Sequence, residues 1–81
     1  MTESVAQLAS KAILSQLRED LTGICQKLES GGRHLSRYEF YAINALAYIP
    51  IAQDRCPNDP FVSEHSRQLR RLANRIFAHY E

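Results

Sequence analysis

Tryptophan is absent from this chain of 81 residues; methionine occurs once, cysteine twice, and proline and glycine three times each. Net charge is nearly absent too, at +1, which argues against bulk attraction to a nucleic-acid backbone or an anionic membrane. No stretch approaches the ~18 consecutive apolar residues of a membrane span. The chain opens with Glu3 and no long apolar segment, so no secretory leader is expected. Without a leader, Cys25 and Cys56 read as free thiols of a reducing compartment, a disulfide between them remaining open in principle. His34, His65 and His79 show no metal-type spacing with one another or with the cysteines. A zinc site from Cys25, His34, Cys56 and His65 would need a fold that happens to gather them. No cofactor motif and no small-molecule site is evident, and the expected location is cytoplasmic.

Size sets a further bound. A single domain of this length buries only about 60–65 % of its unfolded surface. Its core alone supplies only a few kcal/mol, and oligomerisation is a common remedy. The hydrophobic fraction, 44 %, is that of a globular domain and too high for disorder.

What the chain does have is a strong helix start at Leu35–Ile51, LSRYEFYAINALAYIPI. Ser36 followed by Glu39 forms a capping box, with Leu35 and Phe40 at the spacing of a hydrophobic staple. Beyond it the helix is apolar on more than one side. At about 100° per residue, Phe40, Ile43, Ala47 and Ile51 share one face, and Tyr38, Tyr41, Ala45, Tyr48 and Ala52 another. A helix apolar nearly all round is a buried one, and so short a chain has too few helices to cover every side. The first face is expected to meet the core. The second, Tyr38, Tyr41, Ala45 and Tyr48, either lies half exposed with its hydroxyls in water or, as is favoured here, meets a second copy of the chain across a two-fold axis, tyrosine being suited to interfaces.

The remaining segments supply two more helices. Residues 3–29 lack proline and are rich in good helix formers, with Thr2 or Ser4 as cap. Leu14, Leu17, Leu21, Ile24 and Leu28, widened by Cys25, make a core-facing seam. Val5, Leu8 and Ala12 form a separate stripe on another face, suited to a second contact. Gly23 interrupts this helix, either to let another helix approach or at a tolerated cost. Gly31 and Gly32 lie in a short turn, with nothing that resembles a phosphate-binding loop. Pro50 is expected to kink the central helix, which then runs on to about Arg55. Cys56-Pro57-Asn58-Asp59-Pro60 breaks the chain, Asp59 capping a helix with Pro60 in its first turn. That last helix carries an apolar stripe of Val62, Leu69, Leu72, Ala73, Ile76, Phe77 and Tyr80. Its opposite side carries Arg67, Arg71, Asn74 and Arg75, with Arg70 on the flank and Glu64 as a partial offset.

The sequence therefore predicts an all-α fold: a three-helix antiparallel bundle, helices about 3–29, 36–55 and 60–79, with a Pro-kinked central helix, assembled as a dimer. The favoured function is a small non-enzymatic adaptor or regulator that binds proteins as a homodimer, the arginine face being either a solvated surface that complements the helix C-terminus or a docking site for an acidic partner. A nucleic-acid-binding regulator using that same face ranks second, because net charge is near neutral and no helix-turn-helix pattern is present. An enzyme ranks third: Glu39 is accounted for as a cap, and no nucleophile–base pair follows from the spacing.

Overall fold

The computed structural model describes residues 2–80, and among these the regular structure is entirely helical. Helix α1 spans Val5–Glu29, α2 Arg37–Asn44, α3 Ile49–Arg55 and α4 Pro60–Ala78, with a 3₁₀ segment, Ala45–Tyr48, joining α2 to α3. The α2–3₁₀–α3 run forms one central arm, and α1, this arm and α4 touch one another.

Local chemistry sets each boundary. Ser4 caps α1, its hydroxyl accepting from Gln7 N–H at 3.1 Å while the Gln7 side chain accepts from Ser4 N–H at 3.0 Å. Ser36 and Glu39 repeat the device at α2, at 3.1 and 2.7 Å. Each box satisfies two N–H groups that the first helical turn leaves without partners. The end of α1 is equally specific. Gly31 N–H donates to Leu28 O and Gly32 N–H to Lys27 O, which closes a Schellman motif. Gly31 takes φ +98°, and a Cβ on Gly32 would lie 3.0 Å from the Lys27 carbonyl oxygen, so the two glycines serve different needs. At α4, Asp59 accepts from Phe61 N–H at 2.9 Å, and Pro60 occupies a turn in which no N–H is required.

The core is formed by Leu14, Leu17, Leu21, Ile24, Cys25 and Leu28 of α1 against Val62, Leu69, Leu72, Ala73 and Ile76 of α4, with Ala42, Ile49, Ala52 and Cys56 from the central arm and its end. Two polar residues, Ser10 and Ser66, are buried with them. Phe77 and Tyr80, expected in the α4 stripe, are exposed. Phe77 lies about 100° round the helix from Ile76, on the flank of the buried face.

The central arm departs most from expectation. Phe40, Ala47 and Ile51, assigned by spacing to the core face, are exposed, and Ile43 is half-buried. The buried residues are Ala42, Ile49 and Ala52 instead. Ala42, Ile49 and Ala52 are themselves at helical spacing, on a side roughly opposite Phe40 and Ile51, so the arm turns another of its apolar sides to the other helices. Pro50 changes the backbone locally. It has no N–H to offer the carbonyl of Leu46, four residues back. That carbonyl accepts from Ile49 N–H instead, an i→i−3 bond, and the helix tightens to 3₁₀ over Ala45–Tyr48 rather than kinking at one point. A 3₁₀ segment turns about 120° per residue against about 100° in an α-helix, so the face beyond it is rotated relative to the face before it.

Candidate partner-binding surfaces

The first surface is a groove between α1 and α2. Ile13, Leu17 and Asp20 supply the α1 wall; Tyr38, Tyr41, Ala42 and Ala45 supply the other. The Leu14–Leu28 seam positions it: with that seam in the core, Ile13 and Asp20 fall on the flank of α1 that faces α2. Tyr38 and Tyr41 are 62 and 63 % exposed, so two large rings stand in solvent beside an apolar floor. The Tyr38 hydroxyl donates to Asp20 Oδ2 at 3.1 Å. This bond to a carboxylate raises the pKa of the phenol and orients the ring across the mouth of the groove.

Tyr48, expected in the same stripe, does not join it. Its hydroxyl lies 3.0 Å from Ser10 Oγ and accepts from Arg55 Nη1 at 2.9 Å, with the guanidinium carbon 5.9 Å from the ring centroid. Ser10 is fully buried and also donates to Ala6 O at 2.9 Å. These three side chains pin α3 to α1. Sequence reasoning missed this cluster. Its signal was Ser10 itself, a polar residue four positions before Leu14 and in register with the apolar seam.

The second surface is the outer face of α4, where Arg67, Arg70, Arg71, Asn74 and Arg75 are all exposed. They are not equivalent. Arg67 pairs with Glu64 on its own helix, and Arg75 reaches across to Glu29 at the end of α1. Arg70 and Arg71 have no ion-pair partner among the described residues.

Three further ion pairs serve the framework. Lys11 lies 2.7 Å from both Glu3 and Asp59. Hydrogen bonds to Asp59 and then Glu3 hold the Lys11 ammonium above its ordinary pKa, and the Asp59 carboxyl is held below its own, chiefly by Lys11. Lys27 bonds Glu39 at 2.8 Å and, with the Ser36 N–H, lowers that carboxyl too. Both cysteines are buried and unbridged. Cys56 Sγ lies 3.8 Å from the carbonyl of Gln7, and Cys25 is eighteen residues further along the same helix, about 27 Å away, so the two can share neither a disulfide nor a metal. Burial raises the Cys25 thiol pKa. His65 stacks on Phe61 at 3.9 Å between centroids, with Nδ1 3.0 Å from the Phe61 carbonyl. Among the described residues no three histidine, cysteine or carboxylate side chains converge as metal ligands, and no helix is long and apolar enough to cross a membrane.

No family model, curated protein or solved structure matches this chain.

Proposed function

We propose that this chain is a small non-enzymatic adaptor or regulator that works by binding proteins, as a homodimer formed through the α1/α2 groove. The observation that carries the reading is the exposure of Tyr38 and Tyr41 beside an apolar floor, because a patch of that kind on a small protein ordinarily marks an interaction site. Ala45 belongs to this surface; Tyr48 is withdrawn from it by its bonds to Ser10 and Arg55.

The protomer is read as an antiparallel three-helix bundle. Lys11–Asp59 at one end and Glu29–Arg75 at the other support α4 running alongside α1 in the same direction. Lys27–Glu39 and Ser10–Tyr48 support a central arm that returns against α1. Two buried free thiols favour a cytoplasmic setting.

The arginine face is the proposed docking site for an acidic protein, with Arg70 and Arg71 as the residues left over for it. Binding to duplex nucleic acid through the same face is disfavoured, since Glu64 and Glu29 already engage Arg67 and Arg75. Light scattering of the wild type at tens of micromolar should give the dimer mass, and Tyr41→Glu a monomer; a monomeric wild type would sink the homodimer. A polyglutamate chain and a short DNA duplex should then be titrated at low salt against wild type and the Arg70→Glu/Arg71→Glu pair. Binding of the polyglutamate, lost in the variant with unchanged circular dichroism, is expected. Binding of the duplex alone would transfer the face to the nucleic-acid reading.

A further inference from the structure

The α1/α2 groove changes character along its length. It is made of two cavities of about 250 and 330 Å³ that share Asp20, Tyr38 and Ala42. The first is walled by Ile13, Leu17, Tyr41 and Ala45. The second adds Glu19, Glu39 and Ile24. One end is therefore apolar and aromatic, and the other carries the carboxylates of Glu19, Asp20 and Glu39. No lysine, arginine or histidine lines either cavity. Lys27 reaches Glu39 from outside, and Arg37, one turn before Tyr41, stands further round α2 toward solvent. Glu19 and Asp20 have no ion-pair partner among the described residues. Asp20 accepts from neutral donors, the Tyr38 hydroxyl at 3.1 Å and Gln16 Nε2 at 3.2 Å.

We infer that this groove takes a cationic amphipathic helix from a partner protein. The helix lays apolar side chains between Ile13, Tyr41 and Ala45 and sets a lysine or arginine against Glu19 and Asp20. The inference rests on the reading of the groove as the surface by which the chain meets other proteins, and it names the occupant that replaces the second copy there. Charge complementarity selects that occupant. In a two-fold contact the groove meets itself. Its acidic end then faces the mate's acidic end or the mate's apolar end, and neither lining supplies a cation. Carboxylates covered without a counter-charge oppose association, whereas a lysine or arginine placed there neutralises them and fixes the register of the complex. The rings act in the same sense. Tyr38 and Tyr41 are largely exposed, and an open ring face attracts a cation through its quadrupole. The bond from Tyr38 to Asp20 keeps ring and carboxylate together at the mouth.

The dimensions suit a helix. Ile13 and Asp20 are seven residues apart on α1, two turns or about 10 Å. A partner helix lying along the groove covers the same distance in seven residues. An apolar anchor at one position and a basic residue seven further on reach both ends, the pattern by which a helix reads a groove.

The experiment titrates fluorescein-labelled, alanine-based helical peptides against the protein and follows anisotropy at low salt. One peptide carries two leucines and, two turns along the same face, two arginines; the other has glutamates in place of the arginines. The arginine peptide should bind and the glutamate peptide should not. Glu19→Gln with Asp20→Asn should weaken binding about tenfold, the new amide oxygen still accepting from the Tyr38 hydroxyl. Ile13→Ser, at a side chain outside the core, should weaken it too, and Arg70→Glu with Arg71→Glu should not. Circular dichroism is the folding control for each variant. In light scattering, saturating arginine peptide should convert the dimer to one chain with one peptide. Equal binding of both peptides, an affinity unmoved by Glu19→Gln with Asp20→Asn, or a dimer that persists with peptide bound would each overturn the inference. A wild type that is monomeric yet binds the arginine peptide through Glu19 and Asp20 would remove the homodimer and leave the inference standing. A dimer that binds neither peptide would do the reverse.

Discussion

Gly23 is the residue of α1 whose replacement should help. A Cβ built there meets nothing within 4 Å, so the glycine serves no close approach and only weakens the helix. Gly23→Ala should stabilise the protein by about 1 kcal/mol, raising the melting temperature by roughly 4–8 °C for a domain of this size; an unmoved melt would mean that α1 is frayed at this point. Tyr48→Phe should do the opposite. It deletes the hydroxyl that joins Ser10 to Arg55 and leaves the buried Ser10 Oγ, whose own proton goes to Ala6 O, short of a donor, a cost of about 1–3 kcal/mol. Because Tyr48 faces α1 and not the groove, the same substitution should leave the oligomeric mass unchanged in light scattering. Of the residues singled out by spacing alone, this tyrosine is the one whose role changes most, from an external contact to an internal pin.

At the scale of the element, the caps tie helix formation to pH. Glu39 caps α2 and bonds Lys27; Asp59 caps α4 and bonds Lys11. Both carboxyls titrate below their ordinary values of 4.5 and 3.8 when folded, so the folded chain binds these protons more weakly than the unfolded one. The stabilisation they provide is complete above the unfolded values and is lost as pH falls through the folded ones. The melting temperature should therefore hold level from neutrality down to about pH 5 and drop below pH 4, and Lys27→Ala should flatten the part of that drop due to Glu39. A melt independent of pH across this range would show that the caps are not ionised partners. The helix starts at Ser36 and Asp59 were legible in the sequence, and Ser4 was one of two candidates with Thr2, because a cap involves residues within three positions of one another. The buried face of the central arm was not. The arm has apolar residues at helical spacing on more than one side, Ala42, Ile49 and Ala52 as well as Phe40, Ala47 and Ile51, and only the way it docks on the other helices selects the first set.

At the scale of the molecule, the chain is long and thin, 46 × 20 × 16 Å. One row of side chains from each arm makes the whole core, so a large share of the apolar surface remains at its edges. If a second copy covers the α1/α2 groove, folding and association are one equilibrium, and the melting temperature should rise with protein concentration by mass action. Scanning calorimetry over a hundredfold range of concentration should find that rise in the wild type and not in Tyr41→Glu. Equal slopes for the two proteins would place the association, if any, elsewhere.

The sequence by itself determined the all-helical class, the helix starts, the seam of α1 and the buried row of α4 from Val62 to Ile76. Each of these follows from interactions within a few residues or from a repeat near 3.6. Tertiary structure alone decided which side of the central arm is buried, that Tyr48 turns inward to Ser10, and that Arg75 is held by Glu29 of another helix. It also joined Ile13 to Tyr38 and Tyr41 in one groove. These outcomes depend on the angle at which helices meet and on partners more than ten residues away in most cases, and spacing along a single helix carries no record of either.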